Sequence, residues 1–285
     1  MPKVADVDYS QEISATLGLP TAVVFLIDQS GSMGDPWQGA GSKAETVTDI
    51  INKAIDELIL SCQKGNDVRD YFEVLAVTYS GSGVKDVWGS GFVPVSKLKG
   101  MGHLETRRMK VYVGAGQNQE VDTEVTVWFQ PDADGGTPMG DGFALVQREL
   151  SAWIVKHPQS FPPIVFNVTD AEAQDQQSAI AGAQQLAALR TNDGNVLLAN
   201  CHVSAAAAQP IQFPSSLGGL PDDWARFLYG ISSPLPPKML AEAKRHFEGR
   251  IADDARAYLF NAGPSDLVTL LDIGTKTQKD QQADR

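Results

Sequence analysis

Cysteine is scarce in this chain, basic charge is in deficit, and no long apolar run occurs. The two cysteines, Cys62 and Cys201, fall on a predicted helix and a predicted strand, so two buried free thiols are expected rather than a disulfide. That reading suits a reducing cytoplasm. Lysine and arginine number 23 against 35 aspartates and glutamates, a formal net charge of −12. Nucleic acid and anionic membranes both need a basic face, so neither is an expected partner. No apolar run approaches the ~20 residues of a membrane-spanning helix, and residues 1–8 lack the apolar core of a secretory signal. No histidine lies near any of the three segments singled out below. His103, His157 and His246 show no ligand spacing, and His202 beside Cys201 sits on a strand that turns neighbours to opposite faces. No G-x-S-x-G occurs, and Gly81-Ser82-Gly83-Val84-Lys85 lacks phosphate-loop spacing. Catalysis is therefore not expected, for want of a base.

What is present starts at Ala22-Val23-Val24-Phe25-Leu26-Ile27, a short β-branched run that reads as a strand buried on both faces. It closes on Asp28-Gln29-Ser30-Gly31-Ser32. Asp28 thereby falls at the strand's C-terminal end, where open parallel sheets place their binding crevice. One carboxylate and two hydroxyls on a tight loop are hard oxygen donors, suited to Mg²⁺, Mn²⁺ or Ca²⁺. Gly135-Gly136-Thr137-Pro138-Met139 adds a hydroxyl, with Pro138 placed where a helix can start. A second buried-strand pattern over residues 162–170 again closes on an acid, Asp170.

Asp-x-Ser-x-Ser, then Thr in a Gly-rich loop, then Asp at a strand end resembles the von Willebrand factor A family with its metal-ion-dependent adhesion site. The resemblance covers about residues 20–270 and implies an α/β fold, with a doubly wound, mostly parallel central sheet flanked by helices. Carried over, Ser30, Ser32 and Thr137 would touch the cation through hydroxyls, and Asp28 and Asp170 would hold it directly or through water. The implied function is protein recognition, in which a partner's Asp or Glu completes the coordination of Mg²⁺ (or Mn²⁺ or Ca²⁺). Family members usually have Gly after the last Asp, and Ala171 departs from that. Phrases such as Phe213-Pro214-Ser215-Ser216 and Leu271-Asp272-Ile273-Gly274-Thr275 resemble a poorly characterised bacterial branch, whose members occur in signalling or stress-response assemblies. The competing readings are a metal-dependent hydrolase or phosphatase, and a metal-independent scaffold.

The 42% apolar content supports a sizeable core, and one domain spanning 1–285 is expected. Its core is about 20–273, preceded by a loose lead-in (1–19) and followed by a polar tail (276–285). Trp37, in a Gly-rich loop, is expected to cover local apolar surface, with an overhang above the cation as the other reading. Helices are expected over about 43–64, 138–156 and 176–190, with short helical runs at 222–231, 237–247 and 252–257. Residues 80–136 form an enlarged β insertion, read equally as a hairpin extending the sheet edge or as a decoration of the metal face.

Overall fold

The computed structural model describes residues 19–37, 41–114, 117–204, 209–247, 250–261 and 264–276. The lead-in before residue 19 and the tail after residue 276 lie outside them. Strand β1 (Thr21–Asp28) is buried along its whole length, as its unbroken apolar run requires. β2 (Phe72–Ser80) pairs with it in parallel on one side, and β7 (Ile164–Thr169) on the other. β8 (Leu197–His202) and β10 (Tyr258–Phe260) continue the parallel set beyond β7. Short antiparallel strands finish each edge. β3 (Gly83–Asp86) and β4 (Val93–Pro94) lie on β2, and β9 (Ile211–Gln212) lies on β10. The order β9-β10-β8-β7-β1-β2-β3 makes β1 the point from which the winding departs in both directions, the place where doubly wound sheets open a crevice.

Alternation along β1 sends Val23, Phe25 and Ile27 into one apolar layer and Ala22, Val24 and Leu26 into the other. The first layer is covered by α1 (Lys43–Ser61), the single turn α2 (Val95–Leu98), α6 (Pro237–His246) and α7 (Pro264–Lys276). The second is covered by α3 (Met139–Lys156), α4 (Gln176–Ala188) and α5 (Asp223–Ile231). The stripe Val47, Ile51, Ile55 and Leu58 turns α1 inward, and Met139, Phe143, Val146, Leu150 and Trp153 do the same for α3. Burying a side chain of this size stabilises by about 1.5–3 kcal/mol. A polar thread crosses the second layer. The Tyr79 hydroxyl donates to Asn167, whose amide donates to Asn200, whose amide donates to the Ser232 hydroxyl, so each of these four buried side chains has a partner.

Three expectations change. α1 stops at Ser61, and Gly65, at φ +63°, turns a tiny hairpin instead of ending the helix. Residues 252–255 form turns and not a helix. The insertion divides: its first part, β3 and β4, extends the sheet edge, and its hairpin does not. β5 (His103–Gly114) and β6 (Gln117–Val127) pair only with each other among the described residues. At the base of this ribbon the Asn52 side chain of α1 accepts from Trp128 N–H and donates to the Phe129 carbonyl, while the Trp128 indole donates to the Leu98 carbonyl. Trp37 is buried in the first apolar layer, the covering role.

Candidate metal centre

Asp28 ends β1 fully buried, and its two oxygens are already engaged. Oδ1 accepts the Ser30 main-chain N–H at 2.8 Å, and Oδ2 accepts the Thr169 hydroxyl at 2.6 Å. The first bond curls the chain so that the Ser30 and Ser32 hydroxyls come within 3.3 Å of each other. A 3-10 turn, Gly31–Gly34, follows and is anchored by buried Met33. Burial pushes the Asp28 carboxyl up to about 6; the bonds from Ser30 and Thr169 pull it down, and the neighbouring Asp170 carboxylate pushes it up. Two carboxylates thus share the C-terminal edge of β1 and β7.

The Thr137 loop is fastened to this turn through the main chain. Asp134 N–H donates to the Gln29 carbonyl, Gly31 N–H to the Gly135 carbonyl, and Gly81 N–H to the Asp134 carbonyl. Glycine is required where the loops touch. A Cβ on Gly135 would come 2.7 Å from Gly81 Cα, and Gly135 also has φ +58°. Two residues on, Thr137 is buried, and its carbonyl accepts from Met139 and Gln174 N–H groups. Its Oγ1 therefore hangs from a loop clamped between the β1 turn and the start of α4.

Asp170 carries the most informative geometry. One carboxylate oxygen accepts from the Lys43 ammonium at 3.0 Å, and the two side chains are each about 5% exposed. The other, Oδ1, is buried without a hydrogen-bond partner in the protein. A carboxylate oxygen in that condition costs several kcal/mol unless something outside the protein meets it. A hard cation or its water is the group that these donors fit. Among the described residues no three His, Cys, Asp or Glu side chains converge, so a cation here would rest on hydroxyls as much as on carboxylates. After Asp170, Ala171 adopts φ +75°, a left-handed conformation that glycine takes without strain. Its N–H donates to Thr169 Oγ1, which helps to hold a conformation its Cβ resists.

The sequence reading passes over Lys43 and sets His202 aside. Lys43 is the first residue of α1, behind a Ser42–Glu45 capping box. Its ammonium also donates to the Ser32 carbonyl at 3.1 Å and lies 3.7 Å from Asp35. The available signal was a lysine at the electropositive end of a helix, where acids are favoured. The expectation that no histidine lies near the three segments is corrected. His202 pairs with Thr169 in the β7–β8 register, its ring shares a hydrogen bond with the Tyr258 hydroxyl at 3.2 Å, and the Asp170 carboxylate bears on its charge. Burial pushes that ring down to about 4, so it is neutral at pH 7. Glu172 is exposed, and Asp175 caps α4 by accepting from Gln177 and Ser178 N–H groups.

No family model matches the chain, and no curated protein matches it in sequence. Solved structures match it in fold. The pilus adhesin SpaC from Lactobacillus rhamnosus GG has a TM-score of 0.50 and 9% identity over 95% of this chain and 31% of that one. Manganese-loaded Plasmodium vivax TRAP protein has a TM-score of 0.46 and 16% identity over 96% and 78%. The vWF domain of the type V pili tip protein Mfa5 from Porphyromonas gingivalis has 0.33 and 13%, over 55% and 39%. The shared fold is a doubly wound, mostly parallel α/β sheet flanked by helices. At these identities the likeness is one of fold, and this chain spans about a third of the SpaC length.

The cytoplasmic placement drawn from the cysteines is corrected: SpaC, which matches in fold, is a pilus adhesin. Neither cysteine is in a disulfide and both are buried, and burial pushes the Cys201 thiol up to about 12. A thiol so shielded forms little thiolate in any compartment, so it carries no information about location.

Proposed function

We propose that the edge formed by Asp28, Ser30, Ser32, Thr137 and Asp170 binds a divalent cation and uses it to recognise an Asp or Glu side chain of a protein partner. The observation that carries this reading is the buried, unpartnered oxygen of Asp170 beside a loop of hydroxyls and a second carboxylate. The Ser30, Ser32 and Thr137 hydroxyls supply neutral donors. Asp28 is held by Ser30 and Thr169, and its hydrogen bonds fix the turn that presents them. Both Asp28 oxygens and one of Asp170 are already engaged by the protein, so a bound Mg²⁺ would keep positive charge toward an anionic oxygen from outside. With a net charge of −12, the protein repels an acidic partner at long range, so attraction has to be local. A bacterial signalling or stress-response assembly is the proposed setting, on the resemblance alone.

The β5–β6 ribbon favours a second reading, a scaffold that works without metal, because it stands apart from the sheet. One experiment separates the two. Mg²⁺ is titrated calorimetrically into the protein, and a short Asp- or Glu-bearing peptide is then titrated with and without EDTA. Binding of both is expected in the wild type, with at least a hundredfold loss in Asp28→Ala. Peptide affinity that survives chelation and Asp28→Ala contradicts the cation reading.

A further inference from the structure

Lys43 is an unusual neighbour for a cation site. Its ammonium is buried, it takes one oxygen of Asp170 at 3.0 Å, and it reaches the carbonyl of Ser32 at 3.1 Å, one residue of the hydroxyl loop. It starts α1, where the helix field disfavours positive charge. Desolvating an ammonium there has a large cost, offset only by a close anion. The loop folds back to place it: Lys43 N–H donates to the Asp35 carbonyl, and Pro36 and Ser42 bridge. Its charge faces Asp170 and, at 3.7 Å, the exposed Asp35. Asp28 faces Asp170 from the neighbouring strand.

We propose that Lys43 is a built-in counter-cation of the metal centre. It neutralises Asp170 when no dication is bound, weakens dication affinity, and leaves the loaded site more positive toward an incoming carboxylate. This rests on the cation reading above. Without metal, the ammonium offsets one of the two carboxylates on this buried edge, so the fold rests less on the ion. With metal, only the unpartnered oxygen of Asp170 is available to it, and the ammonium nearby repels the incoming charge. The same repulsion makes the loaded edge a stronger anion acceptor. Lys43 therefore exchanges affinity for the metal against affinity for the carboxylate.

Lys43→Met and Lys43→Gln test this, the second keeping a donor toward Asp170 and the Ser32 carbonyl. Mg²⁺ alone, then Mn²⁺ alone, is titrated into chelator-stripped protein by calorimetry, and melting is followed in EDTA and in saturating Mg²⁺. The expected result is a dissociation constant about tenfold tighter in both variants, lower melting in EDTA, and a larger rise with Mg²⁺ than in the wild type. Metal binding by the variants but not by the wild type also supports the proposal, since Lys43 then stands in for the dication. Wild-type binding with variants that bind no tighter overturns it and leaves the cation reading intact. Binding by none of the proteins overturns both. If both variants unfold in EDTA, recovery of the fold by Mg²⁺ supports the proposal and failure to recover overturns it.

Discussion

The C-terminal edge of the sheet and the β5–β6 ribbon are built on opposite terms. At the edge, each donor loop is fixed by buried main-chain bonds, two glycines in contact, and carboxylates with assigned partners. Among the described residues the ribbon's strands pair only with each other, and beyond the buried Asn52 and Trp128 bonds at their base it is surface charge that ties them. Arg107 bonds to Asp49 of α1 and to Glu105, and Arg108 to Asp122. The contrast teaches that geometry is fixed where hydroxyls and carboxylates must converge. It is left open where contacts with a partner can vary without disturbing the fold.

The largest expected effect that breaks the contrast comes from Gly135→Ala. Its Cβ meets Gly81 backbone, so overpacking and a forced left-handed residue should together cost about 1–3 kcal/mol. Urea unfolding should show that loss along with weaker Mg²⁺ binding, because the Thr137 loop is displaced. A neutral result would mean that the two loops are not clamped.

Next is acid sensitivity. The His202 ring is pushed down to about 4 from its ordinary 6.5, so the stability it contributes is present above pH 6.5 and is lost as pH falls through 4. His202→Gln removes this titration. Its melting temperature in EDTA should fall less than the wild type's between pH 6.5 and 4. Parallel curves would show that the ring is not held neutral at the edge.

Much of this was legible beforehand, and the reason is local. The run 22–27 and the α1 stripe carry their periods in consecutive residues. Asp28, Ser30 and Ser32 are close enough in sequence to define one turn. The clamp of Gly135 on Gly81, the nearness of His202 to Asp170, and the ion pair of Lys43 with Asp170 join residues tens to more than a hundred positions apart, and only the sheet order brings them together. The ribbon's independence was hidden for a related reason. Alternation in 103–127 specifies strands but not which edge they pair with. Residues 252–257 read as helical, yet Ala255 and Ala257 are tied to Leu235 and Ser233 by main-chain bonds, and that tertiary pairing overrides propensity.

Ala171→Gly sharpens the picture of the edge at smaller scale. Glycine relieves the strain of φ +75°, while it loses more backbone entropy on folding. A net gain of about 1 kcal/mol or less is expected, read as a small rise in melting temperature. A fall would mean that Ala171 packing outweighs its strain. The smallest effect belongs to the ribbon. Arg107→Ala should change stability by about 0.2–1 kcal/mol, diminishing further in high salt, with Mg²⁺ affinity unaltered. A larger loss would show that the ribbon is structurally coupled to the edge.

The central claim is that hydroxyls and carboxylates from three distant segments share one hard cation. Its most direct measurement is a crystal soaked in Mn²⁺ and recorded at the manganese absorption edge. The account predicts one strong anomalous peak within coordination or water-bridged distance of Asp28, Ser30, Ser32, Thr137 and Asp170. A peak confined to surface carboxylates, or a Thr137 hydroxyl too far from Ser30 and Ser32 to share an ion, would contradict it.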